Sequence, residues 1–182
     1  MAELPFDPNA LSPDDRALFE RMKAKRAAAG APFGGPYLAL MNHPVLAERI
    51  EELGYFLKFQ GHLPREVYQY TVLRVARSTK AAFEWVDHIA HAREAGVPDA
   101  VIEAVRSRRT ASLPEPYAAA EAVIAAVFAW QDVPAAAQEA AIVRFGREAY
   151  VELVVLVGFY QMFSGINEGF AVALPQGTPA PF

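Results

Sequence analysis

The sequence predicts an all-α protein. No stretch sustains an alternation of apolar and polar residues, no Asn-Gly or Asp-Gly dipeptide marks a hairpin, and helix start and stop signals recur along almost the whole chain. With 182 residues, 53% of them hydrophobic and 21% charged, the chain is expected to form one domain over 1–182 with a sizeable core of its own.

Taken in order, the first helix should open at Ser12-Pro13-Asp14-Asp15, which supplies an N-cap serine, a proline at N1 and an acid at N3. It should run to about Ala29, before Gly30, and be followed by the loop A-P-F-G-G-P. Pro44, Pro64, Pro98, Pro116 and Pro134 each sit where a further helix would begin. A helix from about Lys80 to Ala95 should end at Gly96. Residues 1–11 and 175–182 are proline-rich and are expected to be extended or disordered arms. R-E-V-Y at 65–68 returns as R-E-A-Y at 147–150, each opening a strongly apolar segment, which raises the expectation of an internal helical repeat. Such a repeat would set Glu84 and His88 against Ile166 and Phe170, so only the first copy would carry polar chemistry.

The formal net charge is −4. The densest basic cluster, Arg106, Arg108 and Arg109, stands where it would complement a helix C-terminus, so no nucleic-acid partner is expected. The N-terminal M-A-E-L-P-F-D-P lacks the pattern of a signal peptide, and the longest apolar stretch, Leu153–Phe163, is short for a membrane span. A cytoplasmic location without membrane contact is the expectation. There is no cysteine, which excludes disulfides, thiolate metal sites and thiol redox catalysis within this chain.

The chemistry concentrates in F-E-W-V-D-H-I-A-H, residues 83–91. On a helix, Glu84, Asp87, His88 and His91 share one face, with Phe83, Val86, Ile89 and Ala90 opposite and Trp85 on the border. Such a face reads most simply as solvated. It also reads as a proton carrier, because a carboxylate one turn before an imidazole stabilises and orients the imidazolium. Glu84, His88 and His91 could in principle ligate a metal, but three ligands from one helix give poor tetrahedral geometry, so no metal and no cofactor are expected. The preceding segment, 68–76, is apolar all round yet contains Gln69 and Arg74. A buried Arg74 needs a partner, for which Glu84 and Glu152 are candidates; alternatively Arg74 or Arg77 grips a substrate carboxylate. Gln69, Arg74 and Glu152 are expected to be mostly buried and bonded to one another, to Glu84 or to water.

G-P-Y-L-A-L-M-N-H-P-V-L-A (35–47), L-P-R-E-V-Y-Q-Y-T-V-L-R-V-A (63–76), F-E-W-V-D-H-I-A-H-A-R-E-A-G-V (83–97) and Y-V-E-L-V-V-L-V-G-F-Y-Q-M (150–162) together resemble the carboxymuconolactone decarboxylase family, which includes alkylhydroperoxidase D. The resemblance covers roughly residues 35–174 and implies an alkylhydroperoxidase D-like helical fold. In the redox branch of that family two cysteines precede the histidine; here Ala81 and Glu84 stand in their places, and Gln69 falls where the relay glutamate would be. What the resemblance then implies is the decarboxylase side: a lyase acting without cofactor on a small carboxylated lactone or related ring in aromatic catabolism. His88 would be the proton donor and Glu84 its partner, Arg74 and Arg77 would hold the carboxylate, and Trp85 and His91 would line the site. It also implies a homo-oligomer, a trimer or hexamer. The alternatives are a metal-dependent enzyme using Glu84, His88 and His91, and a binding protein that keeps the fold without catalysis.

Overall fold

Why the chain breaks into helices where it does is visible at its prolines. Pro44 is the first residue of its helix, whereas Pro64, Pro98, Pro116 and Pro134 stand one place earlier, at the N-cap. A proline nitrogen has no hydrogen to leave unpaired at a helix start, and its ring fixes φ. The computed structural model describes residues 4–182, and among them there are nine α-helices, one short 3-10 turn and no strand. The protein is all-α, as the sequence predicts. The helices are α1 (Pro13–Ala28), α2 (Pro36–Leu40), α3 (Pro44–Phe59), α4 (Arg65–Thr79), α5 (Ala82–Glu94), α6 (Asp99–Arg106), α7 (Tyr117–Phe128), α8 (Ala135–Phe145) and α9 (Arg147–Gly169). Ser12 caps α1 as expected, its Oγ accepting from the Asp15 N–H at 3.2 Å and donating to Asp15 Oδ2 at 2.7 Å.

The described residues form two compact units. The first holds 4–60 and 166–173, with α1, α2 and α3. Leu18, Phe19 and Met22 of α1 supply its core, and Phe19 meets Phe6 and Phe33 edge-on. A buried Glu51 is held by Lys25 at 3.0 Å, with Arg26 at 4.0 Å. Of the N-terminal arm, residues 1–3 lie outside the described residues. Leu4 N–H donates to Phe170 O, and residues 8–10 form the 3-10 turn.

The second unit holds 61–165 and 174–182. Its central element is α4, which packs against α5, α6 and α7. Nine of its fifteen residues are buried, from Val67 to Ala76, including Gln69 and Thr71. Thr71 satisfies its hydroxyl on the Val67 carbonyl at 2.8 Å. Lys80, left-handed at φ 60°, ends α4, and Gly96 at φ 91° follows the end of α5 where the sequence predicts it. The C-terminal arm is extended but held: Arg106 donates to Pro181 O at 3.1 Å, and Phe182 lies edge-to-face on Trp85.

The two R-E-x-Y tetrapeptides do open helices, α4 and α9. Beyond these openings the two segments differ. Where Lys80 ends α4, the matching Met162 lies inside an unbroken α9, so nothing in the second copy corresponds to α5. α9 is also longer than the apolar stretch Leu153–Phe163. By length and composition alone its 23 residues would span a membrane, but half of its most apolar window is buried within the protein.

Candidate functional site

The face of α5 expected to be wet is its inner face. Glu84, Trp85, His88 and Ala92 are buried at helical spacing, while Phe83, Val86 and Ile89 are only half-buried and Ala90 is exposed. The reason lies in α4, which presents a polar side chain to the acid and histidine. Gln69, itself buried, accepts from His88 Nδ1–H through Oε1 at 2.8 Å.

That bond assigns the tautomer. With its hydrogen on Nδ1, the neutral His88 ring turns a basic Nε2 to the other side, where the Tyr160 hydroxyl stands at 3.3 Å. Tyr160 is in turn 2.7 Å from the hydroxyl of Tyr68, so a continuous chain runs Tyr68, Tyr160, His88, Gln69. Two carboxylates face Nε2 just beyond hydrogen-bond length, Glu84 Oε2 at 3.7 Å and Asp87 Oδ2 at 3.6 Å. A proton arriving on Nε2 would therefore create a cation flanked by two anions in a buried place, where charges attract more strongly than in water. The Asp87 side chain is 46% exposed, so it links this buried nitrogen to solvent.

Two buried donors near this network have no hydrogen-bond partner: Nε2 of Gln69 and Nε1 of Trp85. An orphaned buried N–H costs about 1–3 kcal/mol unless something accepts from it. The Gln69 amide adjoins His88, so an acceptor there would sit beside the imidazole.

The other residues singled out from sequence are placed differently. His91 pairs with Glu94 at 3.3 Å, its ring 6.1 Å from that of His88. Among the described residues no group of three or more His, Asp or Glu side chains is arranged to hold a metal, so the Glu84, His88, His91 ligand set is not assembled. Trp85 is 1% exposed and faces Phe182 and the Arg106 guanidinium instead of an open site.

Arg74 does have a carboxylate partner, but it is neither Glu84 nor Glu152. Its Nε donates to both oxygens of Glu121 on α7 at 3.0 Å, and its Nη1 bonds Ser78 Oγ. Glu121 also accepts from Tyr70 at 2.6 Å and from Thr110 at 2.9 Å. Burial first, then the Glu121 charge, pushes the Tyr70 hydroxyl well above the ordinary tyrosine range. Arg77 donates from Nε to Arg106 O at 2.7 Å. Glu152 accepts from the backbone N–H groups of His62 and Leu63, at 2.7 and 2.9 Å, and from the His62 ring at 3.0 Å. Gln69, Arg74 and Glu152 thus bond in three separate places, with Gln69 Nε2 left without a partner. Arg74, with 20% of its side chain exposed, is less buried than its helix phase suggests.

Sequence reasoning missed Tyr160, Tyr68 and Glu121. The available signal was chemical: a tyrosine in an apolar helix must place its hydroxyl against a partner, and Tyr160 lies in such a run.

The fold and this buried network define the class: an all-helical protein of AhpD-like fold built around an imidazole, with no thiol. A protein of unknown function from Agrobacterium tumefaciens, given as a candidate antioxidant defence protein AhpD, superposes with a TM-score of 0.64 at 21% identity, covering 78% of this chain and 99% of that one. The debrominase Bmp8 superposes in two forms. Its C82A variant in complex with 2,3,4-tribromopyrrole gives a TM-score of 0.65 at 16% identity, over 100% of this chain and 93% of that one. Its apo form gives 0.64 at 18%, over 100% and 94%. At these identities the likeness is one of fold. No family model matches the sequence, and no curated protein does.

Proposed function

We propose that this protein is a cofactor-free acid–base enzyme that decarboxylates or isomerises a small carboxylated lactone or related unsaturated ring, with His88 as the proton carrier. The observation that carries the reading is the fixed placement of His88, with Nδ1 committed to Gln69 and Nε2 faced by Tyr160, Glu84 and Asp87. In decarboxylation the bond between ring carbon and carboxylate breaks, carbon dioxide leaves, and the electron pair spreads through the conjugated ring to its carbonyl. The protonated Nε2 of His88 then delivers its proton to the distant carbon, forming the C–H bond, and the ring is recharged from solvent by way of Asp87. Glu84 stabilises the imidazolium between turnovers. The unpartnered Gln69 Nε2 offers a hydrogen bond to a substrate oxygen.

The bromopyrrole complex of Bmp8 supports a small planar ring as a ligand class for this fold. The sequence resemblance supports the carboxylated lactone. A thiol peroxidase cycle is unavailable, since the chain has no cysteine to supply the nucleophile. One observation favours a non-catalytic binding role instead: Arg74 and Arg77, the expected carboxylate grips, both make internal bonds.

One assay separates the two readings. Pure protein is incubated with carboxylated unsaturated lactones, carboxymuconolactone among them, and carbon dioxide release and ring absorbance are followed. Turnover that falls about a hundredfold or more in His88→Ala is the expected result. No turnover by the wild type, or turnover that His88→Ala retains, would overturn the proposal.

A further inference from the structure

On the α6 and α7 side of α4 lie two neighbouring cavities. The first, of about 260 Å³, is lined by Arg74, Arg77, Ser78, Val105, Arg108 and Thr110. The second, of about 450 Å³, shares Arg108 and Thr110 and continues over the apolar Leu113, Ala118, Ala122 and Ala125. Around α4, Arg77, Arg74 and Ser78 stand about 80°, 140° and 180° from Gln69. Arg74 and Ser78 therefore lie across the body of the helix, about 10 Å wide with its side chains, from Gln69, and none of the residues lining the cavities belongs to the His88 network.

Their charge is out of balance. Four guanidinium groups, those of Arg74, Arg77, Arg108 and Arg109, line them against one carboxylate, Glu121. That carboxylate is already committed to Arg74, Tyr70 and Thr110. Arg77 uses Nε on the Arg106 carbonyl, lies over the Phe182 ring at 4.8 Å and lines the first cavity, with no hydrogen bond from its outer nitrogens among the described residues. Neither Arg77 nor Arg108 has an ion-pair partner among the described residues. Burial and the neighbouring Arg108 and Arg106 hold the Arg77 guanidinium below the usual arginine range. Arginine stays charged even so, and an anion between Arg77 and Arg108 would relieve the repulsion.

We infer that these neighbouring cavities, which meet at Arg108 and Thr110, form a binding site for an organic oxyanion bearing an apolar group, its carboxylate or phosphate held by Arg77 and Arg108 and its apolar part lying along Leu113, Ala118, Ala122 and Ala125. Both oxyanions match the two-pronged guanidinium fork. The surplus of positive charge rejects a neutral analogue, and the alanine-lined wall distinguishes an organic anion from an inorganic one. This site is separate from the acid–base chemistry at His88 and does not depend on it.

The test is titration calorimetry of the full chain with phenyl phosphate, benzoate, inorganic phosphate and phenol. At least one of the two aromatic oxyanions should bind about tenfold or more tightly than both phenol and inorganic phosphate. Whichever of them binds better identifies the headgroup. Arg77→Gln and Arg108→Gln should each weaken it about tenfold, whereas His88→Ala should leave it unchanged. Should Arg77→Gln melt early, Arg108→Gln decides, since that side chain is exposed and carries no structural bond. Failure of both aromatic oxyanions to bind, binding as tight for phenol, or binding indifferent to Arg108→Gln would overturn the inference. An effect of His88→Ala on affinity would show that the ligand sits at the other site.

Discussion

His88 Nδ1 lies 2.8 Å from Oε1 of Gln69, a bond between two buried side chains on adjacent helices. It joins α4 to α5 and decides which imidazole nitrogen is free for chemistry. In Gln69→Leu the buried Nδ1–H loses its acceptor, which should cost about 1–3 kcal/mol of stability. Chemical denaturation should show a lowered midpoint with an unchanged slope.

His88 and Glu84 should fail differently. His88→Ala removes the proton donor and should cost about a hundredfold to ten-thousandfold in rate. Glu84→Gln leaves the donor but takes away one of the two anions at Nε2, so weak activity should persist with its optimum moved to lower pH. His91→Ala should matter little, because its ring bonds Glu94 and stands apart from Nε2. A pH–rate profile of the three variants on a turned-over lactone checks this.

Glu121 receives bonds from Arg74, Tyr70 and Thr110 and has only 13% of its side chain exposed. Glu121→Ala should destabilise the protein by about 3 kcal/mol, because a largely buried guanidinium is left unpaired. If denaturation shows less than about 1 kcal/mol, Arg74 has another acceptor.

His62 supplies a pH dependence. The hydrogen bond to Glu152 first, then the Glu148 charge, raises its pKa above the ordinary 6.5. A pKa raised by folding contributes stability that is fully present below about 6.5 and lost as pH climbs through the folded value. Thermal melts should thus decline as pH climbs above about 6.5, and His62→Gln should flatten that decline. The effect should be small, because the ring is solvent-exposed.

Val151, Val155 and Met162 line one exposed stripe of α9 together with Gly158. A homo-oligomer is expected to cover this stripe. Light scattering should report a trimer or hexamer at micromolar concentration and a smaller species for Val155→Glu. A monomeric wild type would refute the expectation.

Much of the fold was legible in the sequence because its determinants are local. The proline at the head of α3, the N-cap serine of α1 and Gly96 after α5 act within a turn of themselves, so they read correctly without any neighbour. The absence of cysteine settled a chemistry outright. The pairing of Glu84 with His88 on one face was likewise a matter of helix period alone.

Which way that face points was decided only by the tertiary structure. Hydrophobic periodicity assigns polar residues to water, yet burial is decided by whether a neighbouring element supplies hydrogen bonds, and here Gln69 comes from the preceding helix and Tyr160 from a helix far along the chain. The same holds for Arg74. Its need for an anion was readable from an apolar helix, but its choice of Glu121 over Glu84 and Glu152 followed from α7 packing on that side of α4, a long-range arrangement that no local pattern encodes.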